Sequence, residues 1–165
     1  MKILLLSGAS GVGKTHIGIE LSKDPRFNFI KSFTARPKRF DFANNNDHEY
    51  ISKIFMNFML SYNVVASTTI DGYRYCATFR QFDKDKINIY VVDKKGIEDV
   101  YQSFDDAQIF SVLIVRDNIN IGQSRKDRNV IIPNMEEVDF VLNNNIDSIK
   151  VVDDLKQKAL SYFGE

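Results

Sequence analysis

The chain has 165 residues, 44% of them hydrophobic, so it is long enough for one well-filled core and short for two independent domains. Its 22 basic and 22 acidic side chains balance without long runs of one sign, which argues against binding to nucleic acid or membranes through bulk charge. A single cysteine, Cys76, excludes an internal disulfide, and the apolar stretch 3–6 is too short for a signal peptide. We therefore expect a cytoplasmic protein of one domain, with Cys76 in its core and an oligomeric state that the sequence leaves open.

Apolar runs that alternate with helical patterns indicate the fold class. Four runs are apolar nearly throughout, as in strands buried on both faces of a parallel sheet: 2–6, 87–92, 109–115 and 149–152. Helices are predicted at 16–23 and 94–103, and Asp153 is placed to cap a final helix. The alternation predicts an α/β fold in which helices flank a parallel sheet.

The stretch 32–78 interrupts this alternation. It contains one predicted helix, 52–60, and two β-prone segments separated by Asp71-Gly72, a dipeptide typical of hairpin turns. We expect an inserted lobe at one edge of a core formed by 1–31 and 79–165. The asparagine runs at 44–46 and 143–145 are interpreted as loops without a chemical role.

One motif carries specific chemistry. Gly8, Gly13, Lys14 and Thr15 fit the pattern G-x-x-x-x-G-K-[ST] between the first strand and the first helix. In this pattern backbone N–H groups point at phosphate oxygens, the lysine reaches the β- and γ-phosphates and the threonine hydroxyl joins the Mg²⁺ shell. The sequence therefore predicts a P-loop site for ATP and Mg²⁺, formed by Gly8, Ser10, Gly11, Val12, Gly13, Lys14 and Thr15. The alternative is a glycine-rich turn without a ligand.

A pair of arginines follows in "SFTARPKR". Arg36 and Arg39 lie three residues apart, beside Pro37 and close to Ser32 and Thr34. Two guanidinium groups in one short loop suit a phosphate dianion. Two solvated arginines would give the same pattern, so both interpretations stay open on these residues alone.

The order of these pieces resembles the guanylate kinase family of P-loop nucleoside monophosphate kinases. "SGASGVGKT" is similar to its phosphate loop, "SFTARPKR" to its S-x-T-T-R-x-x-R signature and "DHEYIS" to its D-Y-x-F-V-S. "DGYRYCAT" resembles its G-x-x-Y-G hairpin, "VVDKKG" its D-x-D-x-x-G strand end and "VVDDL" its V-N-D-D-L near the C-terminus. Order and approximate spacing agree as far as Val115, and six pieces in order are more specific than any short piece except the phosphate loop.

The resemblance implies that the chain transfers the γ-phosphoryl group of ATP to a nucleoside or deoxynucleoside monophosphate. It implies contacts with the acceptor phosphate from Ser32, Arg36, Arg39 and Tyr75. His48 stands where the family has a tyrosine and would still donate to a phosphate. Asp93 would lie near the acceptor and the metal shell, at a strand end of the kind that borders ligands in α/β sheets. A helix cap is the alternative role for Asp93, and both roles are compatible.

Two departures from the family pattern concern base choice and the lid. The family reads guanine with a glutamate and a hydroxyl, and alanines, Ala66 and Ala77, take these positions here. Guanine selectivity is therefore expected to be weak or to depend on other groups, such as Ser67, Thr68, Thr78 and Asp93. The lid, at about 116–132, is short, and its Arg125 and Arg128 are expected to act with Lys14 as catalytic residues. A solvated basic loop is the alternative for the two lid arginines.

Two other functions remain open on the sequence alone. One is a guanylate-kinase-like module that has lost catalysis and binds a protein partner, and the other is a kinase for a non-nucleotide metabolite. Retention of Gly13, Lys14 and Thr15 argues against the first. The order of the acceptor motifs argues against the second. We expect small nucleotides as ligands, and neither nucleic acid nor a membrane as a partner.

Overall fold

The computed structural model describes residues 1–38, 48–61, 63–117, 130–145 and 148–165. Within these ranges the strands are β1 (Lys2–Ser7), β2 (Phe27–Ile30), β3 (Ser32–Thr34), β4 (His48–Tyr50), β5 (Val64–Ile70), β6 (Tyr73–Thr78), β7 (Ile87–Val91), β8 (Gln108–Val115) and β9 (Phe140–Asn143). The α-helices are α1 (Lys14–Leu21), α2 (Lys53–Leu60), α3 (Lys94–Ser103) and α4 (Ser148–Phe163). None of these helices combines the length and the apolar character needed to cross a membrane.

The larger sheet has five strands in the order β2-β7-β1-β8-β9, and every neighbouring pair is parallel. Its central strand is β1, whose residues 3–6 are fully buried because helices cover both faces of the sheet. This architecture confirms the predicted α/β fold. Because all five strands run the same way, their carboxyl ends lie along one edge of the sheet.

Two apolar clusters cover the two faces of the large sheet. On one face α1 and α4 pack together, with side chains such as Ile17 and Leu155 in a common core. On the other face α3 packs with Ile97 and Val100 against the strands and against β5. Gly18 lets α1 approach β2 closely, because a Cβ there would lie 2.5 Å from the ring of Phe29. This approach fixes the position of α1 and of the residues at its N-terminus.

The smaller sheet has four strands in the order β4-β3-β6-β5 and lies within the stretch 32–78. The predicted hairpin joins β5 to β6, and its turn residues Asp71 and Gly72 both have positive φ, as a two-residue hairpin of the favoured twist requires. The lobe is tied to α3, since Ser103 Oγ donates to the Val65 carbonyl at 2.8 Å and Asp99 Oδ2 accepts from the Ser67 N–H at 3.1 Å. Strand β5 therefore holds a fixed position beside the large sheet.

The prediction of a strand at 149–152 is wrong. These residues lie in α4, which begins at Ser148, so Asp153 stands inside the helix instead of capping it. A run of four apolar residues fits a strand or a helix equally well, and the residues that follow decide between them. Here the fully or almost fully buried side chains recur every four residues: Val151, Leu155 and Ala159. The edge strand is β9 instead, and β2 is a further strand that the sequence analysis did not identify.

The remaining predicted elements are confirmed within a few residues. Helix α3 has the predicted bounds, α2 begins one residue later than predicted, and Ser52 caps it by accepting from the Phe55 N–H at 3.1 Å. Cys76 is fully buried, and its sulfur lies 3.7 Å from that of Met56. Burial raises the pKa of its thiol to about 11, so the thiol stays protonated at neutral pH. Cys76 is a core residue, as expected.

The helical assignment of 149–152 predicts unequal effects of two substitutions. In a strand Ile149 and Val151 would face the same side, whereas in α4 Val151 is 1% exposed and Ile149 is 69% exposed. We expect Val151→Ala to lower the free energy of unfolding by about 1–2 kcal/mol, because it removes buried methyl groups. Ile149→Ala should change it by about 0.5 kcal/mol or less. Urea unfolding of both variants measures this, and equal losses would contradict the helix.

Candidate functional site

A cavity of about 330 Å³ lies where the carboxyl edge of the large sheet meets the lobe. Three groups of residues line it. The loop group follows β1: Gly8, Ser10, Gly11, Gly13, Lys14, Thr15 and His16. The arginine group comes from the lobe: Arg36, His48, Tyr50 and Tyr75. The junction group lies where β5 meets the core strands: Ser32, Ala66, Ser67, Thr68, Tyr90 and Asp93.

A second groove, of about 530 Å³, lies between α1 and α4. Most of its charged side chains are already paired, since Asp24 bonds to Arg26 and to Lys156 at 2.7 and 2.6 Å and Lys23 bonds to Glu20 at 2.6 Å. The two cations beside Asp24 hold its pKa well below its usual range. Surface ion pairs therefore account for most of the charge in this groove, and the cavity at the sheet edge is the candidate site.

The phosphate loop, residues 8–15, has the backbone that its sequence motif predicts. Gly8, Gly11 and Gly13 all have positive φ, a conformation that favours glycine. A Cβ on Gly8 would also overlap the carbonyl oxygen of Ile114. Gly13 stands at the N-terminal boundary of α1, so the positive end of the helix opens into the cavity. A glycine-rich loop of this kind at a helix N-terminus can present backbone N–H groups to an anion.

Lys14 lies over this loop. Its Nζ donates to the Gly8 and Ala9 carbonyl oxygens at 2.8 and 2.7 Å. Burial lowers the pKa of Lys14 to about 8, because the charged ammonium has lost part of its hydration. A phosphate in the loop would supply the negative charge that these carbonyl dipoles replace only in part.

Asn144 supports the phosphate loop from β9. Its Nδ2 donates to the Val12 carbonyl at 2.7 Å, and its own N–H donates to the Val115 carbonyl at 2.8 Å. A Cβ on Gly13 would lie 2.6 Å from that Nδ2, so the close fit requires glycine. Asn144 lies in a loop, as predicted, and the structure adds a supporting contact that the sequence analysis did not foresee, whereas the loop prediction is wrong for Asn143, the last residue of β9. The signal for this contact, an asparagine directly after a strand at the carboxyl edge, was missed because β9 was not predicted.

Arg36 lines the cavity from the side of the lobe. It is 8% exposed, its Nη2 donates to the Tyr50 hydroxyl at 3.1 Å, and its guanidinium lies 5.6 Å from the centre of the Tyr50 ring. Its Nε is buried, and no described residue accepts a hydrogen bond from it. Thr34 positions the loop, since its hydroxyl accepts from the Arg36 N–H at 3.2 Å. A buried guanidinium with an unused donor is a strong binding element for an anion.

Aromatic rings surround Arg36. The His48 ring lies 5.1 Å from that of Tyr75 and 6.3 Å from that of Tyr50. Tyr75 is buried on the cavity face of β6, whereas Arg74 is exposed on the other face, as the alternation of side chains predicts. The arginine group thus combines a cation, an imidazole and two phenols, all of which can donate to phosphate oxygens.

Asp93 joins the core to the lobe. Its Oδ1 caps α3 by accepting from the Gly96 N–H at 2.8 Å, and its Oδ2 accepts from Thr68 Oγ1 at 2.6 Å. Asp93 therefore has the cap role that the sequence left open as an alternative, and it lines the cavity as well. Because both of its oxygens accept a hydrogen bond, the orientation of this carboxylate is fixed.

Some residues predicted for the site lie elsewhere. Thr78 caps the short helix Phe79–Gln81, with its N–H donating to Gln81 Oε1 at 3.0 Å, and it does not line the cavity. Ala77 is fully buried, and Val12 is absent from the lining too. His16, the residue after Thr15, is exposed and borders the cavity. Three predicted residues lie outside the described ranges: Arg39, Arg125 and Arg128.

No protein-family model and no curated protein matches the sequence. Among solved structures, the chain is similar to the crystal structure of guanylate kinase from Anaplasma phagocytophilum, with a TM-score of 0.71 and 16% sequence identity. The similarity covers 97% of this chain and 85% of that one. The chain has the guanylate kinase fold. At this identity the similarity establishes the fold alone, and any activity must be argued from the residues of the cavity.

The lowered pKa of Lys14 predicts that nucleotide binding depends on pH. In the free protein Lys14 loses its proton as the pH rises through about 8, while a bound triphosphate favours the ammonium form. Binding of ATP should therefore take up a proton above pH 8 and weaken by up to about tenfold per pH unit. Lys14→Arg should bind with little dependence on pH, because arginine stays charged. Calorimetry between pH 7 and 9.5 decides this, and the same slope in both proteins would contradict it.

The contact between Asn144 and Val12 predicts a specific loss of donor affinity. Asn144→Ala removes the only side-chain bond to the phosphate loop from outside it among the described residues, and we expect ATP to bind about tenfold more weakly. Asn145→Ala is the matched control, because its side chain bonds to Asp117 at 2.7 Å and not to the loop. Calorimetric titration with MgATP measures both variants. Equal affinities in the two variants would show that Asn144 does not shape the loop.

Proposed function

We propose that this protein is a nucleoside monophosphate kinase of the guanylate kinase type. It transfers the γ-phosphoryl group of ATP to the phosphate of a nucleoside or deoxynucleoside monophosphate, which yields ADP and a diphosphate. The observation that carries the proposal is Arg36, a buried guanidinium whose Nε has no described partner, across one cavity from a phosphate loop. Two separate anion-binding elements in a single cavity suit a reaction between two phosphates.

The loop group holds the donor. Backbone N–H groups of residues 8–15 and the N-terminus of α1 bind the phosphates of ATP, and Lys14 moves with the charge of the γ-phosphoryl group. Thr15 would hold Mg²⁺ through its hydroxyl, and Asp93 would bind a water of the metal shell. Bound Mg²⁺ supplies positive charge that offsets the repulsion between the two nucleotides. The described residues contain no cluster of three or more His, Cys, Asp or Glu side chains that could hold a metal ion.

The lobe, 32–78, holds the acceptor. Arg36 binds its phosphate with the free Nε and with Nη groups, while the His48, Tyr50 and Tyr75 side chains donate around it. We assign Arg39 to the same phosphate. The family resemblance implies a phosphate contact for Ser32 as well, but Ser32 lies beside Tyr90 in the junction group, and we assign it to the nucleoside instead. This division gives each nucleotide its own set of residues, so substitutions in the two sets should have separable effects.

The chemistry needs no covalent intermediate. An oxygen of the acceptor phosphate attacks the γ-phosphorus in line, the bond to the β-phosphate oxygen breaks, and the protein contributes position and positive charge. We assign Arg125 and Arg128, in the lid at about 116–132, to the charge that spreads over the transferred group. Val130, near the C-terminal end of this lid, lines the cavity.

Base selection is expected to be relaxed. Ala66 presents a methyl group to the cavity, and both oxygens of Asp93 already accept hydrogen bonds. Among the described residues of the junction group, the donors of guanine therefore meet one carboxylate, Asp93, which two other hydrogen bonds already hold in place. Shape and weaker bonds separate bases by only about 10- to 200-fold. We propose GMP or dGMP as acceptors, together with at least one other base within that range.

An assay of ADP release tests the function directly. Purified protein with MgATP should turn over GMP, dGMP, dTMP, AMP, CMP or UMP, at least one of them faster than it hydrolyses ATP. Lys14→Ala should lower kcat by at least about 100-fold, because it removes a charge that acts on the transition state. ADP release that no monophosphate stimulates would contradict a kinase for nucleotides. Binding of nucleotides without any turnover would instead indicate a non-catalytic module.

Arg36 and Arg74 provide a matched pair for the acceptor site. Arg36→Ala should lower kcat/KM for the monophosphate by about 10- to 100-fold, since each bond to a charged group contributes about 1.5–3 kcal/mol. ATP affinity in the absence of acceptor should stay within about twofold. Arg74→Ala, on the exposed face of the same lobe, should change neither value. Steady-state kinetics and ATP titration measure this, and an equal loss of ATP affinity in Arg36→Ala would mean that the lobe does not hold the acceptor.

A further inference from the structure

We infer that Tyr90 is a specificity-determining residue that contacts the base of the acceptor through its hydroxyl. The inference rests on the proposed function and deepens it, because it names the group that takes over base recognition. Tyr90 lies on β7 and lines the cavity as part of the junction group, and it is 4% exposed. The sequence analysis treated it only as part of an apolar strand.

The position of the base follows from the layout of the cavity. The loop group takes the donor phosphates and the arginine group takes the acceptor phosphate, which leaves the junction group for the acceptor nucleoside. The junction group connects the lobe to the core, with Thr68 bonded to Asp93 across the boundary. A base that enters there meets side chains of β3, β5 and β7 together.

Besides the carboxylate of Asp93, which keeps a lone pair on each oxygen, the junction group offers the hydroxyls of Ser32, Ser67, Thr68 and Tyr90. Ala66 has no polar side chain, the Thr68 hydroxyl already donates to Asp93, and each Asp93 oxygen already accepts one bond. The Tyr90 hydroxyl interacts with that of Ser32, and burial raises its pKa far above neutral, so it stays an O–H. Two neighbouring hydroxyls can both donate and accept hydrogen bonds. These two hydroxyls can therefore form hydrogen bonds with the edge of a base.

The packing around Tyr90 explains why alanines stand where the family resemblance places guanine-reading side chains. Ala66, Ala77 and Tyr90 belong to one buried cluster, and the Tyr90 ring makes an edge contact with Phe82 at 6.0 Å between centroids. Two methyl groups leave room in this cluster for a large aromatic ring. The cluster thus lacks a carboxylate but contains a phenol at the cavity wall.

A hydroxyl pair recognises a different class of base edge than a carboxylate does. A carboxylate only accepts, so it selects the adjacent N–H groups of guanine, whereas hydroxyls rotate and can donate to a carbonyl or accept from an N–H. The chemistry fits any base edge with a donor beside an acceptor, on a purine or a pyrimidine. Tyr90 should therefore contribute to binding of several bases, and it should contribute nothing to an acceptor that lacks a base.

Tyr90→Phe tests this, because it keeps the ring in the core and removes only the hydroxyl. We expect kcat/KM for the preferred monophosphate to fall about tenfold, as for one lost hydrogen bond with a buried partner left behind. The Kd of ribose 5-phosphate, which has the phosphate and sugar without a base, should stay within twofold, and so should the Kd of MgATP. Tyr101→Phe is the matched control, since its hydroxyl also interacts with a serine, Ser111, away from the cavity.

Unchanged kcat/KM values in Tyr90→Phe would overturn the inference, and so would an equal weakening of ribose 5-phosphate, which would indicate a packing role. If Tyr90→Phe does not fold, Ser32→Ala carries the test, because it removes the other hydroxyl of the pair and should give the same pattern. Failure of the proposed function is seen separately, in the wild-type protein, as the absence of transfer to every monophosphate. That result would overturn both proposals.

Discussion

The parallel arrangement of the large sheet is the constraint on which the site depends. Because β1, β7, β8 and β9 all run in one direction, the residues that follow them meet at one edge: Gly8, Asp93, Asp117 and Asn144. These residues are far apart in sequence, and only the strand order brings them together. The fully buried β1 at the centre anchors the phosphate loop, and Asn144 at the end of β9 supports that loop from the side.

The second organising feature is the pair of cations that the cavity holds. Lys14 donates hydrogen bonds to two carbonyl oxygens of its own loop. Arg36 donates to one phenol, and its Nε has no described acceptor. Neither forms an ion pair with a described carboxylate. Carbonyl and phenol oxygens are weaker partners for a cation than a phosphate is, so the binding of two nucleotides would stabilise both charges. This is the physical link between the fold and phosphoryl transfer.

The sequence analysis succeeded where the chemistry is local. The glycines of the phosphate loop, the Asp71-Gly72 turn and the buried strands near 2–6 and 87–92 carry their conformation in neighbouring residues. It failed where tertiary context decides. The apolar run 149–152 belongs to a helix because α4 buries one side of it, and the role of Asn144 depends on a strand that the sequence did not reveal.

The site itself shows the same division between local and tertiary information. Thr78 was predicted as a site residue from its position in the chain. It caps a short helix instead, because the last residue of β6 faces the next segment and not the cavity. Tyr90 looked like one more residue of a buried strand. The proposed role of its hydroxyl depends on the interaction with Ser32, which lies on a strand of the other sheet. Contacts between the two sheets therefore could not be derived from spacing along the chain.

The central claim is that one cavity binds both nucleotides at the same time, each at its own phosphate-binding element. A bisubstrate analogue, in which adenosine and guanosine are joined by five phosphates, tests this claim most directly. Calorimetry should show one analogue per chain, and prior saturation with either ATP or the preferred monophosphate should weaken its binding. Two analogues per chain, or competition with ATP but never with any monophosphate, would contradict the account.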